Sequence, residues 1–345
     1  MLLEFRKRTV GIKMVFTDTE NLIQAMLEQQ IIPGADYTFI HHGRLVHEVT
    51  TGYSSVVPVK RRLAQGEYFD VASLTKVMGT VPLTLWLEQQ GRINLEAPVS
   101  QYLPQIKDAR VTLRHLLTHT SGATAWIDQR DELNASELRE AIYNNLTFGA
   151  DFNQKVVYND YNFLLLGFII ERVLHMPVQV AIQKYVLQPW GLEASSFTPD
   201  PHQAIPTQVR NGILTKGQVH DPKAASLGLH AGSAGLFSTK HDVVKFTLKM
   251  LANENELLDE TTMRQFEDNQ TTNSKLLRSW GWAFVTRKPH QVLLRHSGFT
   301  GTFILLDRLT QNGLVFLSNR VHPQPNLEFL EYRQKIYQTF AKEDF

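Results

Sequence analysis

The sequence predicts an α+β fold. One antiparallel sheet of about five strands is built from both ends of the chain and flanked by terminal helices, and a mainly helical domain is inserted between its halves. Three observations carry this. Strand-like runs rich in β-branched and aromatic residues fall at 37–50 and again at 282–318. Helix-compatible sequence fills most of 73–275. Amphipathic helical runs at 19–30 and 327–341 bracket the strands. The expected division assigns residues 15–70 and 276–345 to the sheet domain and 71–275 to the helical one.

Taken in order, residues 19–30 place Leu22, Ile23, Ala25, Met26 and Leu27 at helical spacing, and Pro33-Gly34 ends the run. Runs 37–41 and 45–50 read as strands joined by a tight hairpin at His42-Gly43, with Gly52 closing the unit. Residues 56–66 read as a loop. A helix is expected to begin near Ser73 and to run over 77–90 as far as Gly91, with Pro82 kinking or dividing it. Thr112 suits the N-cap of a short helix over 112–118. Apolar helices are expected at 163–175, 178–187 and 242–251, with breaks at 189–191 and 202–207. The small-residue loop Ala231-Gly232-Ser233-Ala234-Gly235 lets backbone approach closely. Strands return at 282–286, 291–295, 302–306 and 314–318, and a helix over 327–341 follows. There is no internal repeat and no low-complexity tract.

Composition narrows the function. The 345 residues are 43% hydrophobic, ample for a buried core. A formal net charge of +1, with only the short basic runs Arg6-Lys7-Arg8 and Lys60-Arg61-Arg62, argues against a nucleic-acid binder. The chain has no cysteine, which excludes disulfides, thiol nucleophiles and cysteine-bound metals. No apolar run reaches the ~18 residues of a membrane span. Residues 1–8 lack the apolar core and cleavage site of an export signal, as does the segment starting at Met14, so the expected compartment is the cytoplasm, unless an export signal has been removed. The expected partner is a small-molecule or peptide substrate, with no nucleic acid and no membrane span. The sequence does not fix the oligomeric state.

The chemistry centres on Ser73-x-x-Lys76, within Phe69-Asp70-Val71-Ala72-Ser73-Leu74-Thr75-Lys76. Three residues apart on a helix, the two side chains share one face. A serine hydroxyl is a poor nucleophile at neutral pH and needs a base beside it, which a lysine one turn along can be if its pKa is lowered. A helix N-terminus adds free N–H groups for a developing oxyanion. His115 and His119 have the i, i+4 spacing of a zinc pair. No H-E-x-x-H arrangement or third ligand accompanies them, so packing and capping is the better reading and no metal or other cofactor is expected. Trp126, Trp280 and Trp282 read as core or rim residues.

Two further stretches join Ser73: Val157-Tyr158-Asn159-Asp160-Tyr161-Asn162-Phe163-Leu164-Leu165-Leu166-Gly167, and Leu294-Arg295-His296-Ser297-Gly298-Phe299-Thr300-Gly301-Thr302. In this order the three resemble the serine β-lactamase and penicillin-binding protein family, in its class C β-lactamase, DD-peptidase and esterase branch. That family carries Ser-x-x-Lys, then Tyr-x-Asn, then Lys/His-x-Gly on a strand. Residues 111–122, 188–192, 234–239 and 317–320 resemble the same branch, so the likeness runs from about Ile32 to Pro323. Tyr143-Asn144-Asn145, His41-His42-Gly43 and His230-Ala231-Gly232 match the short motifs literally but lack their surroundings.

The resemblance implies a β-lactamase/transpeptidase-like fold with the active site between the two domains. It implies a serine hydrolase that forms an acyl-enzyme on an ester, amide or β-lactam carbonyl. Ser73 would be the nucleophile, and Lys76 and Tyr158 would move protons. The N–H groups of Ser73 and Phe299 would form the oxyanion hole, and Asp160, His296, Ser297, Gly298 and Phe299 would contact substrate. Asp160 departs from the family's usual asparagine. An ionised carboxylate cannot donate to a substrate carbonyl, and it holds Lys76 charged, which favours Tyr158 as the base. A bland alternative makes Asp160 an N-cap before Tyr161. His296 would bind a carboxylate only when protonated. β-Lactamase, DD-carboxypeptidase and esterase are not separable at this level. A non-catalytic receptor or scaffold binding peptidoglycan fragments is the competing reading.

Overall fold

The computed structural model describes residues 15–210, 212–288 and 291–343. The helix Thr17–Glu28 (α1) leads into strands Gly34–His41 (β1) and Arg44–Ser55 (β2). Their turn, His42-Gly43, has φ of 48° and 72° at its two residues, the doubly left-handed geometry that a two-residue hairpin requires. The strand Arg61–Arg62 (β3) follows. Near the other end come Ala283–Lys288 (β4), Gln291–Ser297 (β5), Phe303–Asp307 (β6) and Asn312–Ser318 (β7). Together they form one sheet in the order β4-β5-β6-β7-β1-β2-β3. The sheet therefore has seven strands where about five were expected. The least legible of them, Arg61–Arg62, is two exposed residues with no alternating pattern to read.

The sheet closes because β1 pairs antiparallel with β7, Tyr37 opposite Phe316 and Thr38 opposite Val315. Alternation along the strands then feeds two cores. Phe303, Leu305, Phe39 and Phe316 face α1 and the C-terminal helix Glu328–Lys342, meeting Ile23, Met26, Ile336, Tyr337 and Phe340. Ile304, Leu306, Val315 and Leu317 face the other way, into a larger core with Leu74, Val77, Val81 and Phe163.

Two local departures from expectation have physical causes. The chain after Ser73 is not one continuous α-helix. Residues Lys76–Thr80 form a π-helical turn, and an α-helix runs over Val81–Gln89 (α2). A proline at 82 removes a backbone donor and crowds the carbonyl four residues back, which the wider turn relieves. The region expected to be helical also holds an antiparallel hairpin, Pro206–Arg210 with Ile213–Lys216, whose turn includes Gly212 at φ 78°.

Candidate active site

The site begins at a strained turn. Ala72 has φ 47°, a left-handed backbone rarely adopted by a residue with a side chain, and Ser73 follows it at the entry to the helix. Asp70 fixes this turn. It is wholly buried, accepts from the Ala72 N–H at 2.8 Å through Oδ1, and accepts from the His220 N–H at 2.7 Å through Oδ2. Burial pushes its pKa up to about 6 against the opposing pull of those two bonds. The Ala72 carbonyl accepts from the Thr75 hydroxyl at 2.6 Å, and the Thr300 hydroxyl donates to the Asp70 carbonyl at 2.6 Å. The turn is thus clamped from its own helix and from the loop after β5.

Lys76 is fully buried and its ammonium spends all three protons: on Ser73 Oγ at 2.9 Å, Asp160 Oδ1 at 2.8 Å and the Ser233 carbonyl at 2.8 Å. The last acceptor comes from the small-residue loop. A side chain at Gly232 would strike the Phe163 carbonyl, so glycine there allows the approach. Burial alone would lower the Lys76 pKa, but Asp160 and Tyr158 outweigh it and hold the pKa above the ordinary lysine value. Asp160 also receives Lys223 at 3.0 Å, and Lys223 reaches Asp221 at 3.2 Å. Burial acts to raise the Asp160 pKa, yet the two lysines hold it well below the usual carboxylate range.

Asp160 is not the N-cap of its helix, Asp160–Leu174 (α3). Asn159 is, accepting from the Tyr161 N–H at 2.8 Å, which leaves the Asp160 carboxylate in the first turn free to face the lysines. Tyr158 immediately precedes the cap and is 47% exposed, so its ring is open to the cleft. Lys76 Nζ lies 5.2 Å from the Tyr158 ring centre, and the Arg278 guanidinium lies 6.0 Å from it. His119 pins this loop. Its carbonyl accepts from the Val157 N–H at 2.9 Å, and its Nδ1 accepts from the Asn159 N–H at 3.3 Å and from Asn162 Nδ2 at 3.0 Å. His115 instead caps its own helix through Thr112 and reaches Thr272 at 3.1 Å. The two histidines diverge, and among the described residues no cluster of three or more His, Cys, Asp or Glu could hold a metal ion.

The third stretch ends β5. The His296 ring is 6.1 Å from that of Tyr158, and neither ring nitrogen has a hydrogen-bond partner among the described residues. Burial, reinforced by Lys76, Arg278 and Arg295, pushes its pKa far below the ordinary histidine value. The imidazolium expected as a carboxylate binder is therefore disfavoured here, first by burial and then by the neighbouring cations. Gly298 is required by space, since a Cβ there would collide with the Val71 carbonyl and the Thr302 hydroxyl. Among the described residues, no acceptor takes the N–H of Ser73 or of Phe299. Ser73, Tyr158, Asp160, His296, Ser297, Gly298 and Phe299 all line one cleft of about 750 Å³, with Lys76 behind Ser73.

The same cleft is lined by five arginines, Arg210, Arg278, Arg295, Arg320 and Arg333, to which sequence reasoning gave no role. They lie on five segments; Arg295 and Arg320 fall inside stretches that carry the resemblance, and long-range packing brings them to one cleft with the others. Trp280 and Trp282 are buried in the core, and Trp126 is 86% exposed. No single helix among the described residues is long and apolar enough to cross a membrane.

Comparisons with known proteins bear on the family and the fold. An N-acetylmuramyl-L-alanine amidase of Bacillus subtilis (strain 168) is 26% identical over 359 aligned positions, covering 87% of this chain and 80% of that protein. A putative D-alanyl-D-alanine carboxypeptidase of Salmonella agona (strain SL483) is 28% identical over 301 positions, covering 74% and 69%. Among solved structures, EstCE1, a hydrolase with promiscuous acyltransferase activity, superposes with a TM-score of 0.76 at 18% identity, covering 96% of this chain and 98% of its own. A class C beta-lactamase from Rhodobacter sphaeroides gives 0.74 at 19%, covering 94% and 97%. At such identities these structures establish the β-lactamase/transpeptidase-like fold. The sequence model of the beta-lactamase family matches residues 19–338, and the chain belongs to that family.

Proposed function

We propose that this chain is a serine hydrolase working through an acyl-enzyme, with Ser73 as nucleophile. The observation that carries the proposal is the Ser73 hydroxyl, 2.9 Å from a buried ammonium, in a cleft that also presents two N–H groups without acceptors. Lys76 is held charged by Asp160, so its task is electrostatic. The Ser73 proton passes to the Tyr158 oxygen, whose negative charge Lys76 and Arg278 offset. As that proton leaves, Ser73 Oγ bonds to the substrate carbonyl carbon, and the carbonyl oxygen takes the negative charge between the N–H groups of Ser73 and Phe299. Collapse of this intermediate breaks the bond to the leaving amine or alcohol, which takes the proton back from Tyr158. Water then gives a proton to Tyr158 as the water oxygen bonds to the acyl carbon; collapse breaks the bond to Ser73 Oγ, which takes that proton back from Tyr158, and the acyl group leaves as a carboxylic acid.

The names of two relatives, an N-acetylmuramyl-L-alanine amidase and a putative D-alanyl-D-alanine carboxypeptidase, favour an amide of a cell-wall peptide as substrate. The test is intact-protein mass spectrometry after exposure to a penicillin, a short-chain ester and a D-Ala-D-Ala peptide. A mass increase that Ser73→Ala abolishes is expected. An inert Ser73 in a protein that still binds muropeptides would support a receptor instead.

A further inference from the structure

Beside the nucleophile, the cleft wall presents an acceptor. Asp160 lines the cleft, and one ammonium joins it to Ser73: Lys76 Nζ donates to Ser73 Oγ at 2.9 Å and to Asp160 Oδ1 at 2.8 Å. Against the upward push of burial, Lys76 and Lys223 hold the Asp160 pKa well below the usual carboxylate range, so at neutral pH both of its oxygens can only accept. The side-chain amides nearest to it in sequence are spent elsewhere. Asn159 accepts from the Tyr161 N–H at 2.8 Å and donates to the Ala123 carbonyl at 2.7 Å. Asn162 is 1% exposed, accepts from the Ser121 hydroxyl and donates to His119 Nδ1 at 3.0 Å. Neither amide is left to offer a substrate an N–H.

Tyr158 sets the direction of this wall. It hands a proton to the leaving group, which therefore lies towards Tyr158 and Arg278, and the acyl part runs along the wall that Asp160 begins. Contacts order that wall outward. Lys223 joins Asp160, at 3.0 Å, to Asp221, at 3.2 Å, and of these three the two carboxylates line the cleft. The other Asp221 oxygen accepts from the Ala224 N–H at 2.8 Å. Further out, Arg210 donates to the His220 carbonyl at 2.6 Å, has the Gln208 amide against its guanidinium, and borders a second cavity with Asp131 and Ser226. The His220 ring stacks on Phe299 at 5.4 Å. Gln208 and Arg210, the long side-chain donors of this wall, thus stand at its outer end, and a substrate seated on Ser73 meets Asp160 first. A carbonyl or ether oxygen there opposes a carboxylate, whereas an N–H or O–H gains a charge-assisted bond.

We infer that Asp160 fixes the acyl-side contact of this cleft as a hydrogen-bond acceptor, and that the preferred substrate carries an N–H or O–H on the carbon next to its scissile carbonyl. This rests on the acyl-enzyme reading above.

The test pairs N-acetyl-D-Ala-D-Ala with O-acetyl-D-lactyl-D-Ala, which differ only by an ester oxygen in place of the acyl-side N–H. Released D-alanine is the readout. On the wild type, kcat/KM should favour the N–H substrate roughly tenfold, the worth of one charge-assisted bond. In Asp160→Asn, whose amide can donate as well as accept, that ratio should shrink several-fold, while the loss common to both substrates from a disturbed Lys76 cancels. A wild-type ratio near one, or the same ratio in both proteins, overturns the inference. So does a wild-type preference for the ester oxygen that Lys223→Met abolishes, which would give the contact to Lys223. Should Asp160→Asn not fold, D-lactyl-D-Ala and its O-methyl ether serve on the wild type: the free hydroxyl should be cleaved several-fold faster, and equal rates overturn the inference. If neither peptide is cleaved but a fluorophosphonate labels Ser73, the serine reading stands and protection against that label decides. Stronger protection by the N–H peptide upholds the inference; equal protection, or none, overturns it. If Ser73 is not labelled and nothing is cleaved, the serine reading fails. Calorimetric binding of the same pair then decides: tighter binding of the N–H peptide upholds the acceptor contact, and equal or absent binding overturns it.

Discussion

The two halves of the cleft handle charge in opposite ways. Around Ser73, Lys76 and Lys223 are matched by Asp160 and Asp221 in a continuous chain of contacts of 2.8 to 3.2 Å. Across the cleft, Arg278, Arg295, Arg320 and Arg333 have carbonyls and ring faces for neighbours, and among the described residues none of them has a carboxylate partner, while a fifth lining arginine, Arg210, donates to the His220 carbonyl at 2.6 Å. The balanced half is complete before any substrate arrives, which is what positioning a nucleophile demands. The unbalanced half is completed only by something that binds. Pre-organisation for chemistry and readiness for a ligand are thus two different electrostatic states, side by side in one cavity.

Substitutions can break or sharpen this contrast. The largest effect falls on activity. Ser73→Ala should cut hydrolysis of a chromogenic ester by at least about 10³-fold and abolish labelling by a fluorescent penicillin; unchanged labelling would remove Ser73 from the mechanism. Next comes Asp160→Asn, which strips the anion from between two lysines and should cost about 3 kcal/mol, read as a lower urea midpoint. An unmoved midpoint would mean the chain of charges contributes nothing. A third effect depends on pH. His296 and His119 are held neutral by burial and nearby cations, so below pH 6.5 the unfolded chain takes up protons that the folded protein refuses. Stability should then fall as pH drops from about 6.5, by up to about 1.4 kcal/mol per pH unit for each ring. Asp70 works the other way, since its raised pKa of about 6 makes the folded state hold a proton between roughly pH 6 and 4. Comparing melting temperatures of the wild type and His296→Gln from pH 8 to 5 isolates one ring; equal slopes would argue against a buried neutral His296. The smallest effect is Arg333→Gln, which relieves repulsion and should leave stability unchanged or raise it by about 0.5 kcal/mol. A clear loss of stability there would mean the arginine cluster has an internal partner after all.

Much of this architecture could be read from residue order, because its signals are local. Periodicity marks α1, the β1–β2 hairpin, the late strands and the C-terminal helix. The three motif stretches meet because each sits on an element whose type is legible. What escaped is non-local or conformational. Nothing near Arg278 announces that it will face Tyr158; Arg278, Arg320 and Arg333 lie 19 or more positions from Ser297, and Arg295 sits inside the third stretch with no signal of its own. Asp160 was open to two readings, and Asn159 settled it by taking the cap. The charge state of His296 depends on burial and on Lys76, Arg278 and Arg295, none of which a strand motif encodes. The π-helical turn was signalled only indirectly, by Pro82.

The seam between β1 and β7 has a consequence for biosynthesis. Tyr37 must find Phe316, so the central pairing of the sheet waits until synthesis has passed residue 316. Until then the nascent N-terminal hairpin carries an open, mostly apolar edge, the kind of surface that other chains add to. Production of this protein should therefore be limited less by how well the finished molecule holds together than by how safely the β1–β2 hairpin is shielded until β7 is made.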